Sequence, residues 1–238
     1  MQKLLSYVRR AVDHYHMIEE GDRIAVGVSG GKDSLSLLCA LTALRRFYPK
    51  HFDLVAISLH PGWEDMDFSA VQTLCDQLEV PYILQQTQMK QIIFDIRKEP
   101  SPCSLCAKMR RGALHQAALD AGCKKVALGH HFDDVVETQL MSLFFEGRFN
   151  CFRPVTYLDR KGVTLIRPLL YTPESYIKSF ARRQELPIVF NPCPADGNTK
   201  RQEMKELLRT LEKENPGIRD RIFGAIQRFP LPGWGLDD

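Results

Sequence analysis

The chain of 238 residues is 44% apolar, enough for a sizeable core, and its length fits one large α/β domain or such a domain with a small appendage. A net charge of +3 is too small to argue for a nucleic-acid partner by itself, so that reading has to rest on where basic residues cluster. No apolar run reaches the length of about eighteen that a membrane span needs, and Arg9 and Arg10 interrupt any signal-peptide core, which predicts a cytoplasmic protein with no membrane partner.

Leu5, Val8, Val12 and Tyr15 recur at helical spacing and predict an amphipathic helix over residues 2–17, with Lys3, Arg9 and Arg10 on its polar face. A strand at Ile24–Val28 then gives way, through Ser29-Gly30-Gly31-Lys32-Asp33-Ser34, to an apolar helix from Leu35 to Phe47. Strands at Leu54–Ser58 and Tyr82–Leu84 alternate with a helix at Phe68–Leu78. A helix over Cys106–Ala121 leads to a strand at Lys125–Leu128 and a helix starting near Asp134. This rhythm argues for a Rossmann-like parallel sheet with helices on both faces, whose ligands bind at the carboxyl ends of the strands. Beyond Gly147 the rhythm changes. Arg148–Pro154 reads as loop, Val163–Ile166 as a short strand, and Pro173 opens a helix to Gln184. Asn191–Asn198 is turn-rich, and Lys200–Glu214 is a charged helix ended by Pro216-Gly217, with a tail after Phe229 that is loose or packed through Trp234. The expected division is an N-terminal helix over 1–20, an α/β domain over 21–170 and a small helical portion over 171–238.

The hexapeptide Ser29–Ser34 carries the chemistry. Its adjacent glycines allow a tight turn with successive N–H groups exposed, the following helix adds its N-terminal partial charge, and Lys32, Ser29 and Ser34 bring a cation and two hydroxyls to the same corner. A Walker loop would need glycine where Val26 stands and a hydroxyl where Asp33 stands, so that reading fails. The hexapeptide resembles instead the PP-loop of the ATP pyrophosphatase superfamily, whose members cut ATP between the α and β phosphates and adenylate a substrate. A second motif, Gly129-His130-His131-Phe132-Asp133-Asp134, also follows a strand and opens a helix. Its paired carboxylates could hold Mg²⁺ against a leaving pyrophosphate or act on the substrate base; the plainer alternative is that one of them caps the helix. His130 and His131 either pack at the strand end or act directly.

Seven cysteines, an odd number, point to buried thiols or metal ligands rather than disulfides. Cys103 and Cys106 have the spacing to face one metal, and Cys193, between Pro192 and Pro194, is the third candidate ligand, while Cys39 and Cys75 read as core. Residue spacing leaves open a zinc site completed by Cys123, Cys151 or His131, a [4Fe–4S] cluster with one open iron, and a redox pair.

With these motifs in this order, followed by Arg110-Arg111-Gly112 and Ile166-Arg167-Pro168-Leu169, the chain resembles the tRNA 2-thiocytidine synthetase family from its first helix to about Glu214. The resemblance implies the adenine-nucleotide α-hydrolase fold and an ATP- and Mg²⁺-dependent thiolation of tRNA. It also implies a [4Fe–4S] cluster on Cys103, Cys106 and Cys193, and a homodimer fed by a cysteine desulfurase or free sulfide. ATP is then expected at Ser29, Gly30, Gly31, Lys32, Asp33, Ser34, Gly129 and His130. Catalysis is expected at Asp134 and Asp33, with Arg110 and Arg111 on the developing phosphate charge. The terminal zinc-finger cysteine pairs of the related 2-thiouridine enzymes are lacking. Basic pairs at 45–46, 110–111, 124–125, 182–183 and 200–201 would form a tRNA strip if they converge, and Phe132, Phe149 and Phe152 are candidate shelves for a flipped cytosine. The competing readings are a lysidine-synthetase-like ligase that needs no cysteines, a small-molecule adenylating enzyme of the NAD- or GMP-synthetase sort, and a metal-stapled RNA-binding module without catalysis.

Overall fold

The computed structural model describes residues 1–100, 102–194 and 200–228. Its centre is a six-stranded sheet of order β3-β2-β1-β4-β6-β5, with β1 Asp22–Gly27, β2 Phe52–His60, β3 Tyr82–Gln86, β4 Lys125–Ala127, β5 Val155–Leu158 and β6 Val163–Ile166. All pairings are parallel except β5 with β6. Ile24, Ala25 and Val26 of β1 and the run from Leu54 to Ser58 in β2 are buried without alternation, as strands covered on both faces must be.

Around the sheet lie α1 Gln2–His14, α2 Lys32–Arg45, α3 Ser69–Gln77, α4 Pro102–Asp120, α5 Phe132–Met141, α6 Glu174–Arg183, α7 Lys200–Glu214 and α8 Ile218–Arg228. α2 is apolar nearly all round because it is sandwiched: Leu35, Leu37, Leu38, Leu41 and Leu44 are all fully buried in the larger core, which also takes Leu4 and Val8 of α1, Phe180 of α6, Leu208 of α7 and Phe223 of α8. The other face is covered by α4, whose Ala117 and Ala118 pack with Ala25, Val55 and Val126. None of the described helices is long and apolar enough to cross a membrane.

The chain winds outward from β1 to β3 and then returns to the other side of β1 for β4. The crevice between the carboxyl ends of β1 and β4 is therefore a switch point, and both motifs leave the sheet there.

Four features depart from the sequence expectations. α4 begins at Pro102 rather than Cys106, since proline suits the first helical position, and Cys103 and Cys106 thus sit one turn apart near the helix start. β5 was unexpected because a four-residue strand at a sheet edge has little periodicity to show. α8 restarts immediately after Pro216-Gly217, where Gly217 takes φ +81, and buries Phe223 and Ile226. π-helical turns form at Gln91–Ile96, where no element is expected, and at Ser142–Glu146, which continues α5. The expected tail after Phe229, with Trp234, and residues 195–199 of the turn-rich segment lie outside the described residues.

Candidate active site

β1 runs on past its last strand residue, with Val28 N–H donating to Ile57 O (2.8 Å) and Ser58 Oγ to Val28 O (2.6 Å), so the loop leaves from a fixed point. Gly30 takes φ +81, a conformation costly for any other residue. Ser34 Oγ donates to Gly31 O (2.9 Å) and accepts from Ser29 N–H (3.1 Å), while Ser29 Oγ lies 3.2 Å from it. The two serines hold the loop's shape. No side chain caps α2, so its first-turn N–H groups face the crevice as an anion site.

Two other segments close on this loop through backbone. A Cβ on Gly129 would stand 3.1 Å from Asp33 C and Ser34 N, so glycine there is what lets the second motif touch the start of α2. Val189 N–H donates to Gly30 O (3.0 Å), and a Cβ on Gly30 would lie 2.6 Å from Val189 Cγ2. The segment leading to Cys193 thus crosses directly over the phosphate loop.

The charges are interlocked. Lys32 Nζ pairs with Asp33 (2.9 Å) and with Glu174 (3.2 Å), and Glu174 is also held by Lys205 (2.7 Å) and Lys178 (3.0 Å). Burial would raise the Glu174 carboxyl, but these lysines outweigh it and bring its pKa down to about 2. For Lys32, burial works against the charged form and is overcome by Asp33 and Glu174, so its pKa is raised. Asp134 forms a reciprocal cap with His131, accepting from His131 N–H (2.9 Å), and pairs with Arg201 of α7 (2.8 Å). Asp133 reaches outward instead: it accepts from Glu174 N–H (2.7 Å), capping α6, and from Arg219 of α8. Asp134 thus caps α5 and Asp133 caps α6, and each also pairs with an arginine from a later helix. His131 lies 3.7 Å from Asp33 and 3.5 Å from Asp134, and Asp33 Oδ1 is buried without a hydrogen-bond donor. His130 is packed on Phe152 (4.7 Å), and burial with the nearby Arg167 charge lowers its pKa to about 4, leaving a neutral ring.

Glu174, Lys205, Arg201, Arg219 and Val189 are the site residues that sequence reading missed. Only the basic pair Lys200-Arg201 carried any signal, and nothing local marked it as a partner for Asp134. Arg110 and Arg111 are exposed on α4 and form no ion pair among the described residues. Two of the five basic pairs lie away from the crevice: Arg45-Arg46 ends α2, and Lys125 pairs with Asp22 at the start of β1, both at the amino edge of the sheet. Of the three candidate aromatic shelves, Phe132 stacks on Phe223 (4.8 Å) and Phe152 is held between His130 and Arg167, which leaves Phe149, at 63% exposed, as the open one.

All seven cysteines are free thiols. Cys39, Cys75, Cys123 and Cys151 are buried, and burial pushes their pKa values up, to about 11 for Cys39 and about 12 for Cys75 and Cys151. They are core thiols: Cys123 follows the far end of α4 and Cys151 donates to Val135 O, while His131 Nδ1 serves the cap of α5. Cys103, Cys106 and Cys193 are the three outside the core. Leu114 of α4 packs against Gly27 at the end of β1, so the start of α4, eight residues back at Cys106, projects roughly 12 Å beyond the strand ends on the loop's side. The three thiols suit a thiophilic centre in their chemistry and in lying outside the core. The described residues contain no group of three Cys, His, Asp or Glu side chains gathered to hold a metal ion, so binding one requires the start of α4 and the segment before Cys193 to draw together.

A parallel sheet with this loop at its switch point defines a nucleotide-binding protein of the PP-loop class, and the sequence profile of a PP-loop domain matches residues 4–211. Within that class the chain belongs to the tRNA-cytidine(32) 2-sulfurtransferase family. It is 41% identical over 228 residues to the member from Geobacter metallireducens, spanning 94% of this chain and 89% of that one. It is 42% identical to the member from Pelobacter propionicus, spanning 94% and 85%. In three dimensions it is similar to the U34-tRNA thiolase NcsA from Methanococcus maripaludis, a structure with its [4Fe–4S] cluster: the TM-score is 0.76 at 26% identity, over 94% of this chain and 77% of that one.

Proposed function

We propose that this protein uses ATP to replace the C2 oxygen of a cytidine in tRNA with sulfur, the cytidine being at position 32 as in the named relatives. The observation that carries the reading is the adjacency of an uncapped helix N-terminus bearing Lys32 to the segment leading to Cys193.

The C2 oxygen of cytosine is a poor leaving group until activated. Its attack on the α-phosphorus of ATP forms one O–P bond and breaks the bond to the β-phosphate oxygen, and pyrophosphate leaves. The first-turn amides of α2 and Lys32 bind the triphosphate and stabilise the charge that develops on the departing pyrophosphate. Lys32 can swing to phosphate because its present partners, Asp33 and Glu174, are carboxylates it would exchange for a stronger anion, with Glu174 retained by Lys178 and Lys205. The His131–Asp134 cap holds the second loop against α2, and Asp33 Oδ1, buried and without a hydrogen-bond donor, is an acceptor that substrate or hydrated Mg²⁺ could take once Lys32 moves to phosphate. Cys103, Cys106 and Cys193 would hold a [4Fe–4S] cluster, which when bound supplies an open iron from which hydrosulfide can be delivered. Attack of hydrosulfide at C2, loss of its proton and departure of AMP with the original oxygen complete the exchange. The sulfur comes from free sulfide, or from a cysteine desulfurase whose persulfide sulfur is released as hydrosulfide by two electrons from a thiol reductant, and the working unit is a homodimer in the cytoplasm.

The test is the reaction itself. Oxygen-free protein, ATP, sulfide and unmodified tRNA should give AMP, pyrophosphate and 2-thiocytidine, read by nucleoside mass spectrometry. Lys32→Ala should slow turnover by about 10²–10³, and Cys103→Ala should lose iron while still binding ATP. ATP cleavage without tRNA thiolation, or full activity in the cysteine variant, would refute the reading.

A further inference from the structure

Beside the site lies a cleft of about 480 Å³ that the reaction above does not use, between α1 and α8. Its walls include Tyr7, Phe132 and Tyr171, and its polar groups include Arg10, His14 and Asp220. It adjoins the catalytic residues through the backbone, since Phe132 lies between His131 and Asp133 and the lining residue Pro173 precedes Glu174.

Three observations point to an occupant. Arg10 lies over the Tyr171 ring at 4.2 Å and has no carboxylate partner among the described residues, whereas its neighbour Arg9 is committed to Asp13 at 3.4 Å. His14 Nδ1 is bound to the Tyr171 hydroxyl, but its Nε2 is buried with no hydrogen-bond partner. Outside the cleft the same pattern continues, with Tyr176 6.0 Å from Tyr7 and flanked by Lys3 and Arg183, each 5.6 Å from its ring centroid. Cations alternating with aromatic faces form the surface that single-stranded RNA recognises, charge for the backbone and rings for the bases.

We propose that the α1–α8 cleft is a nucleotide subsite for the RNA substrate, which takes one unstacked base against its aromatic wall and holds that nucleotide's phosphate with Arg10. The proposal rests on tRNA being the substrate. His14 Nε2 and Asp220 supply a polar edge for the base, and the Lys3–Tyr176–Arg183 strip carries the adjoining strand. Occupancy would brace the turns that carry His131 and Glu174, so that RNA docking supports the ATP site.

The test is tRNA affinity of the full chain over a range of salt concentrations. Arg10→Glu should weaken binding about tenfold and lower the salt slope by about one, with ATP affinity unchanged. Gly224→Leu fills the cleft without a charge change; a Cβ there meets only the mobile end of Arg228, at 3.1 Å. It should weaken binding about tenfold with the slope preserved. Reversing Arg45 and Arg46 to glutamate, at the opposite edge, should change neither. Unchanged tRNA affinity in Arg10→Glu or Gly224→Leu overturns the subsite alone, as does an equal loss in the Arg45/Arg46 reversal. So does cytidine monophosphate binding that Gly224→Leu abolishes while RNA affinity stays intact. A wild-type chain that binds no tRNA overturns the subsite and the thiolase reading together.

Discussion

The loops Ser29–Ser34 and His130–Asp134 meet at the same crevice and are held in different ways. The first keeps its turn by local bonds, its serines bonding to each other and to its own backbone, while Val189 across Gly30, Gly129 against Asp33 and Glu174 on Lys32 hold it in place from outside. The second is held from outside, Asp133 by α6 and α8 and Asp134 by α7. A phosphate cradle has to keep one shape, which local bonds secure. The partner loop can be coupled to elements that respond to a large substrate.

The sharpest way to break this contrast is Asp133→Ala, which removes the α6 cap and strands the largely buried Arg219, 18% exposed. Unfolding by urea should show a loss of roughly 3–5 kcal/mol; a loss under about 1 kcal/mol would mean that the second loop is as self-sufficient as the first. Next comes Gly30→Ala, the corresponding test of the first loop. A side chain at φ +81 that also meets Val189 at 2.6 Å should cost roughly 1–3 kcal/mol and lower ATP affinity, because the cradle itself is forced open. The smallest effect belongs to Glu174, which links the two loops. Its folded pKa of about 2 lies below the ordinary 4.5, so its stabilisation is complete above about pH 4.5 and is lost as pH falls toward 2. Glu174→Gln should be less stable than wild type by roughly 2 kcal/mol at pH 7, with the difference shrinking as the pH approaches 3. A pH-independent difference would assign the effect to packing rather than to the lysines.

The phosphate loop was legible because its chemistry is contiguous: glycines, lysine and serines within six residues, between an apolar strand and an apolar helix. Gly129 was legible as part of a motif but not as the point of closest approach to Asp33, which depends on where β4 lies. Spacing and neighbouring prolines singled out Cys103, Cys106 and Cys193 and set Cys39 and Cys75 in the core, whereas the burial of Cys123 and Cys151 emerges only in the fold. Glu174 and Arg219 left no trace, since one glutamate in a helix's first turn and one arginine after Pro216-Gly217 are ordinary residues in one dimension. The basic pairs misled for the same reason: adjacency in sequence says nothing about which edge of a sheet a pair occupies, and Arg45-Arg46 and Lys124-Lys125 fall on the far one.

Order along the chain determined the alternation of strands and helices, the glycine-rich loop between β1 and α2 and the pairing of Cys103 with Cys106, because each depends on periodicity or spacing over a few residues. Only the folded chain decided which distant charges neutralise Lys32, that Asp133 and Asp134 face different helices, and that Arg10, Tyr171 and Phe132 enclose one cleft. Those arrangements join residues a hundred or more positions apart in some cases, and burial rather than local preference selects their partners.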